Sequence, residues 1–250
     1  MNKTPVVHTK QNNQNGFLKG WLTYNLIGWG IGCLITIPAF SLATAVSAQI
    51  FSVNQFAKAK ADVFTSIIIW FPFSAILGIM QWLKLKHLNV RATPWILATT
   101  LAWVIPAAFL SWFFDHYQIT SFESWSTKAQ VAEILIVGAS VGLSQAVIIS
   151  KSKLMPVLWA FANSIGFLAL AFLAALVWGV GYSIGKSLEP FFFSLGDFGF
   201  AIVGSRELLL DMLVLSILPF LATLACALPT GLIFSKYGDE RTNIDVGNPM

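Results

Sequence analysis

The chain has 250 residues, of which 56% are hydrophobic and 10% are charged, and its mean hydropathy is +0.74. Soluble domains carry about 25% charged residues, so this composition excludes an ordinary soluble protein and predicts an all-α integral membrane protein. The formal net charge of +4 does not indicate a nucleic-acid partner, because the basic residues lie at the ends of apolar stretches, next to lipid headgroups.

Six stretches without Asp, Glu, Lys or Arg are each long enough, or nearly so, to cross a hydrocarbon core about 30 Å thick, which takes about 20 apolar residues. They predict a membrane domain at residues 18–236, flanked by polar cytoplasmic tails at 1–17 and 237–250. The predicted transmembrane helices are 21–44, 63–85, 92–114, 131–151, 155–183 and 208–235.

The basic residues predict how these helices are oriented. With both termini on one face, two thirds of the 15 Lys and Arg residues lie on that face, so the positive-inside rule makes both termini cytoplasmic. A second interpretation of the start is a signal peptide, because Lys19 and an apolar run precede the small residues at 45–48. The run is longer than a typical signal-peptide core, and cleavage there would remove the first copy of an internal repeat.

That repeat emerges when the chain is aligned with itself. One shift pairs Gln81 with Gln145 and Trp95 with Trp159, and a second shift pairs Trp21 with Trp95. The odd-numbered helices begin alike, with a Trp and then a polar residue one turn later. The even-numbered helices end alike, with small residues four apart. The sequence therefore predicts three two-helix hairpins that run in the same direction, as a parallel repeat.

Polar residues recur near the cytoplasmic end of the predicted bundle. One hypothesis is that they pack neighbouring helices together through hydrogen bonds, and the other is that they surround a cytoplasmic vestibule. A ring of neutral amides carries no charge and moves no proton, which favours packing. The candidate interhelical polar ring consists of Asn25, Gln81, Thr99, Gln145 and Asn163.

Small residues four apart on one helix face let a neighbouring backbone come close. Such residues occur on the even-numbered helices and again near the end of the fifth predicted helix. The predicted helix-packing positions are Gly78, Gly138, Gly142, Gly181, Gly185 and Gly231.

An aromatic segment follows the fifth predicted helix, within the outer loop at 183–207. Phenylalanines are costly in water, so we expect this segment to lie in the membrane interface or to dock a partner. The five residues are Phe191, Phe192, Phe193, Phe198 and Phe200. Asp211, farther along, has two interpretations: an acid at the interface in the first turn of a helix, or an ionisable residue inside the bundle.

The predicted helices contain none of the catalytic or cofactor-binding patterns that would identify an enzyme. His8, His87 and His116 all lie outside them, and no HExxH motif occurs. Asp115 and His116 are adjacent, but two residues alone make a poor metal site. We therefore expect no enzymatic activity, no cofactor and no bound metal.

The segment 78–86, which reads GIMQWLKLK and is followed by Trp95 and an apolar helix, resembles a group of bacterial membrane proteins common in cyanobacteria. The group is functionally uncharacterised and reads roughly G-x-x-Q-W-L-x-L-[RK], then a Trp-led helix, in tandem. The resemblance covers most of 62–170, is weaker in the second copy, where Ala146 replaces the Trp, and is nearly absent after Phe234. It implies a bacterial inner or thylakoid membrane and no particular activity.

Two functions stay open at this point. The first is a non-enzymatic accessory or assembly subunit in a lipid bilayer, which contacts a membrane-protein partner or a second copy of itself. The second is a small-solute transporter or channel whose path runs through the centre of the repeat. The two functions differ in whether the amides of the polar ring hold the helices together or face a path.

Overall fold

A computed structural model of the chain describes residues 6–50, 55–116, 123–149, 154–194 and 216–237. Every regular element in these ranges is helical. The first five helices are α1, Val6–Ile50; α2, Gln55–Leu85; α3, Ala92–His116; α4, Glu123–Ile149; and α5, Leu154–Phe193. The described part of the sixth helix, α6, covers 216–237 and includes a π-helical turn at Thr223–Ala227 before its last stretch, Leu228–Tyr237.

Within the described residues, six helices are long and apolar enough to cross a membrane. This finding confirms the prediction of an all-helical fold with six such helices. Their apolar segments are Gly16–Ser47, Lys60–Leu88, Ala92–Phe113, Val131–Ile149, Leu154–Leu188 and Ser216–Ile233.

The ends of some helices differ from the predicted ends. α1 begins at Val6, so much of the predicted polar tail is helical. α5 continues to Phe193, past the predicted end at 183, and turns the start of the predicted outer loop into helix. The predicted end rests on Lys186, the first charged residue after the apolar stretch, and lysine is a good helix former, so the helix is able to continue past it. The predicted start of the sixth helix, 208–215, lies outside the described residues.

The helices pack as a closed ring in chain order. Each helix contacts the next one along the chain, and α6 contacts α1. Residues early in α1, α3 and α5 cluster with residues late in α2, α4 and α6, so neighbouring helices run in opposite directions. We call the end of the bundle where the odd-numbered helices begin the first end.

Aromatic side chains fill the core in two layers. At the first end Trp21, Trp95 and Trp159 are each at most 1% exposed. Deeper in the bundle Trp103 and Phe167 pack edge to face with ring centroids 4.9 Å apart, a contact that contributes about 0.5–1.5 kcal/mol beyond the burial itself. The same deeper layer includes Trp29, Trp70 and Phe73.

The turn between α2 and α3 is held by a residue of the G-x-x-Q-W-L pattern. A short 3-10 turn, Lys86–Leu88, ends at Asn89, whose φ of 57° lies in the left-handed region that Asn tolerates. The Trp82 indole N–H donates to the Val90 carbonyl at 3.1 Å. This bond fixes the turn against the end of α2.

The π-helical turn of α6 has a cause in the sequence. Pro229 follows it, has no N–H, and in a regular α-helix would crowd the carbonyl of Ala225 one turn earlier. The wider turn, closed by the Leu228 N–H on the Thr223 carbonyl, accommodates the proline. It packs on Gly166 of α5, where a Cβ would lie 2.5 Å from the Ala225 oxygen. Only glycine fits there without a shift of the backbone.

Candidate functional site

A layer of buried polar side chains joins the helices near the first end, and we call it the polar layer. Gln81 Nε2 on α2 donates to Asn25 Oδ1 on α1 at 2.8 Å, and Gln145 Nε2 on α4 donates to Gln81 Oε1 at 2.9 Å. Gln145 Nε2 also donates to Thr99 Oγ1 on α3 at 3.1 Å. These four side chains are at most 7% exposed. The polar layer thus links four helices through one hydrogen-bond network.

The fifth helix joins the polar layer through a tryptophan. The Trp159 indole N–H donates to Gln145 Oε1 at 3.2 Å. Asn163, one turn later, donates from Nδ2 to the Trp159 carbonyl at 2.9 Å, so it lies beside the network rather than within it. Asn25 and Thr99 make the same backbone bond to the Trp four residues before them, also at 2.9 Å. In three helices, the polar residue one turn after a Trp therefore donates the same hydrogen bond to the carbonyl of that Trp.

The sixth helix closes the ring of helices without an amide side chain. The Trp21 indole N–H donates to the Ala227 carbonyl at 3.0 Å and to Thr230 Oγ1 at 3.3 Å. The Ala227 carbonyl belongs to the π-helical turn. The sequence analysis did not identify Trp21, Trp159 or Thr230 as members of the site. The repeated Trp positions could have indicated that Trp21 and Trp159 belong to the site, because each of them lies one turn before a residue that was identified.

One tryptophan does not follow the pattern of the other two at the first end. Gln81 and Trp95 have the same spacing along the chain as Gln145 and Trp159. Gln81 Oε1, however, accepts from Gln145. Among the described residues, the Trp95 indole N–H has no hydrogen-bond partner, although it is fully buried. An unpaired buried donor costs about 1–3 kcal/mol.

This difference predicts that the same substitution changes stability by different amounts at two equivalent positions. Trp159→Phe is expected to be less stable than Trp95→Phe by about 1–2 kcal/mol, because the first loses a hydrogen bond and the second removes an unpaired donor. Both variants lose the same volume, so packing cancels in the comparison. Unfolding of the purified protein in mixed micelles with increasing dodecyl sulfate measures the difference. Equal stabilities would contradict the bond between Trp159 and Gln145.

Glycines bring helix backbones into direct contact beside the polar layer. A Cβ on Gly142 would lie 2.4 Å from the Cα of Ala160, and one on Gly138 would lie 2.8 Å from the Cα of Ser164. A Cβ on Gly78 would lie 3.3 Å from the backbone of α3. α4 and α5 are therefore the most closely packed of these pairs. A Cβ on Gly231 of α6 would meet side chains instead, with Trp21 at 2.6 Å.

The remaining predicted residues lie toward the far end of α5 or beyond it. Gly181 and Gly185 are half-buried on α5. Phe191 is 60% exposed in its last turn. Phe192 and Phe193 belong to the same turn, and their side chains lie outside the description, as do the residues Phe198, Phe200 and Asp211 altogether.

The polar layer borders a small cavity. Its volume is about 20 Å³, and a cavity of about 10–15 Å³ is enough for one water molecule. All six helices contribute to its wall. The polar side chains among its lining residues are Asn25, Gln81, Gln145, Asn163, Thr230 and the indoles of Trp21, Trp29 and Trp103, together with the thiol of Cys226.

The chemistry of the polar layer is hydrogen bonding between neutral groups. Within the described ranges no group of three or more His, Cys, Asp or Glu residues could hold a metal ion. Cys33 and Cys226 are buried free thiols. The letters 138–142 read GASVG and match the GxSxG pattern of serine hydrolases, a match that the sequence analysis overlooked. They lie within the continuous helix α4 rather than at the strand-to-helix turn that the pattern requires, so they do not form a nucleophile elbow.

The candidate site is thus a hydrogen-bond network of neutral side chains at one end of a six-helix ring. Its hydrogen bonds join side chains on neighbouring helices. Comparison of the chain with protein-family models, with curated proteins and with solved structures finds no match.

Proposed function

We propose that this chain is a non-enzymatic membrane protein, an accessory or assembly subunit that acts through contacts of its outer helix faces. The proposal rests on the hydrogen bonds that the side-chain amides make. Gln81 and Gln145 bond to each other and to Asn25 and Thr99, and the cavity beside them has a volume of only about 20 Å³. Amides committed to one another serve packing, which leaves the outer surface as the part available for interaction.

The outer surface supports insertion into a bilayer. Large apolar side chains point outward along the helices: Leu34 is 70% exposed, and Phe161 and Phe172 are each 67% exposed. Such a surface is costly in water and matches lipid tails. The excess of Lys and Arg on the side of the termini supports a cytoplasmic position for both of them, in a bacterial inner or thylakoid membrane.

The contacts between hairpins support the three-hairpin repeat. In each copy a glycine late in an even-numbered helix packs against an early residue of the odd-numbered helix of the next copy. The contacts are Gly78 with Ile96, Gly142 with Ala160, and Gly231 with Trp21 across the closure of the ring. The first two contacts are with backbone and the third is with a side chain, and all three lie at corresponding places in the ring, as a parallel repeat around a pseudo-threefold axis predicts.

The far half of α5 is the surface that we assign to the partner. α5 has 40 residues and is about 60 Å long, twice the thickness of a hydrocarbon core of about 30 Å. Beyond Leu170 none of its residues with a described side chain is buried. Gly181 and Gly185 lie four residues apart on this part, where a second helix is able to approach closely. The partner is another membrane protein or a second copy of the chain.

The proposal predicts a companion that depends on α5. Extraction of the tagged chain from its own membranes in mild detergent is expected to yield a stoichiometric complex larger than the single chain. Gly185→Leu is expected to reduce the companion at least tenfold while the chain stays folded. Gly179→Leu is the matched control, because a Cβ at Gly179 meets nothing within 4 Å and lies on another face of the same helix.

The alternative function is a small-solute transporter or channel, and the same preparation distinguishes it. A lone monomer that carries solute into proteoliposomes, with flux abolished by Gln81→Leu in a folded protein, would contradict the accessory role. Under the accessory role, Gln81→Leu changes stability and leaves the α5 contact unchanged.

A further inference from the structure

The residues that line the central cavity include an unpaired hydrogen-bond donor and an unpaired acceptor. The Trp103 indole N–H is a buried donor without a partner among the described residues. Asn163 uses its Nδ2 to donate to the Trp159 carbonyl, and within the described part of the chain no donor reaches its Oδ1. Trp103 and Asn163 both line the cavity. One is a donor that needs an acceptor, and the other is an acceptor that needs a donor.

A single water molecule satisfies both groups at once. Buried waters typically make about three hydrogen bonds to buried polar groups that otherwise have no partner. The cavity volume of about 20 Å³ admits one water and excludes any larger solute. Gln81 and Gln145, which also line the cavity, each have a second lone pair on the amide oxygen for a further bond.

We propose that the cavity is a binding site for one structural water, which accepts from Trp103 Nε1 and donates to Asn163 Oδ1. The water connects the deeper aromatic layer to the polar layer. It also links Asn163 to the hydrogen-bond network, beside which Asn163 lies. This inference concerns the interior of the bundle and is independent of the partner surface on α5.

Trp95 provides the internal comparison. Its indole N–H is buried and unpaired like that of Trp103, but Trp95 does not line the cavity. A water in the cavity therefore pairs with Trp103 and leaves Trp95 as it is. Trp95 therefore serves as the reference for a buried indole away from the cavity.

The direct test is NMR of the full-length protein in detergent micelles, with ¹⁵N-labelled tryptophan. The chain has ten Trp residues, and each indole signal is assigned by its loss in a Trp→Phe variant. A cross-peak between the Trp103 indole proton and a long-lived water, absent for Trp95, is the expected result. Its absence for Trp103 in the folded protein would overturn the proposal.

Stability gives a second, independent readout. Trp103→Phe loses the bond to water in addition to part of its ring contact with Phe167. Its unfolding midpoint is therefore expected to fall below that of Trp95→Phe. A midpoint equal to or above that of Trp95→Phe would contradict the water site.

Discussion

Gly142→Ala is expected to destabilise the bundle by about 3 kcal/mol, at the upper end of the cost of overpacking a core. The new Cβ would lie 2.4 Å from the Cα of Ala160 and 2.8 Å from the Trp159 carbonyl oxygen. Both contacts are with backbone, so no side-chain rotation relieves them and α4 must move away from α5. That movement also pulls Gln145 away from Trp159. Unfolding by dodecyl sulfate in mixed micelles measures the loss.

Gly30→Ala is the matched control for this substitution. Gly30 also lies in the middle of a helix, and a Cβ there would meet nothing within 4 Å. Alanine is a better helix former than glycine by about 0.5–1 kcal/mol, so Gly30→Ala is expected to be neutral or slightly stabilising. If both variants lost the same stability, the close contact of α4 with α5 would be wrong.

Gln145→Leu is expected to cost about 2 kcal/mol, because one side chain bonds to three others. It donates to Gln81 and Thr99 and accepts from Trp159. Hydrogen bonds between helices in membranes average about 0.6 kcal/mol and reach about 1.7 kcal/mol, so three losses sum to about this value. Gln49→Leu is the control, because Gln49 is exposed on α1 and takes no part in the polar layer.

A double-mutant cycle separates the bond between the two glutamines from the rest of that cost. Gln81→Leu, Gln145→Leu and the double variant are compared in the same unfolding experiment. The second substitution is expected to cost less than it does alone, with a coupling of about 1 kcal/mol, because its partner amide is already gone. Strict additivity would show that the two amides do not bond.

The six helices were predictable from the sequence because lipid imposes a simple rule. A helix in hydrocarbon must be apolar over its length, so stretches without charge mark the helices directly. The end of α5 was predicted less well. The predicted end at 183 rested on the end of the charge-free stretch just before Lys186, but lysine is a good helix former, so the helix continues through Lys186 and Pro190 to Phe193.

The partners within the polar layer were not predictable to the same degree. The repeat indicated that Gln81 and Gln145 lie at the same depth, because they occupy the same position in two copies of the unit. It also indicated that Asn25, near the start of an odd-numbered helix, lies at a similar depth. Which amide donates to which depends on small rotations of the helices about their axes. These rotations result from the packing of the whole bundle and cannot be read from single residues. The bond from Trp21 to Ala227 depends on the π-helical turn, which Pro229 introduces.

The polar layer lies near one end of the bundle, which has a consequence for where the bundle begins to unfold. At the end opposite the first end, the described polar contacts between helices are two hydroxyl pairs, Ser47 with Thr65 at 3.2 Å and Ser66 with Ser111 at 3.0 Å. Each pair breaks without disturbing the other, whereas the amide network near the first end breaks as a unit. We therefore expect the contact between the helices to loosen at the hydroxyl pairs before it loosens at the amide network, so that backbone amides beside Ser47 and Ser66 exchange with solvent deuterium before those beside Gln81.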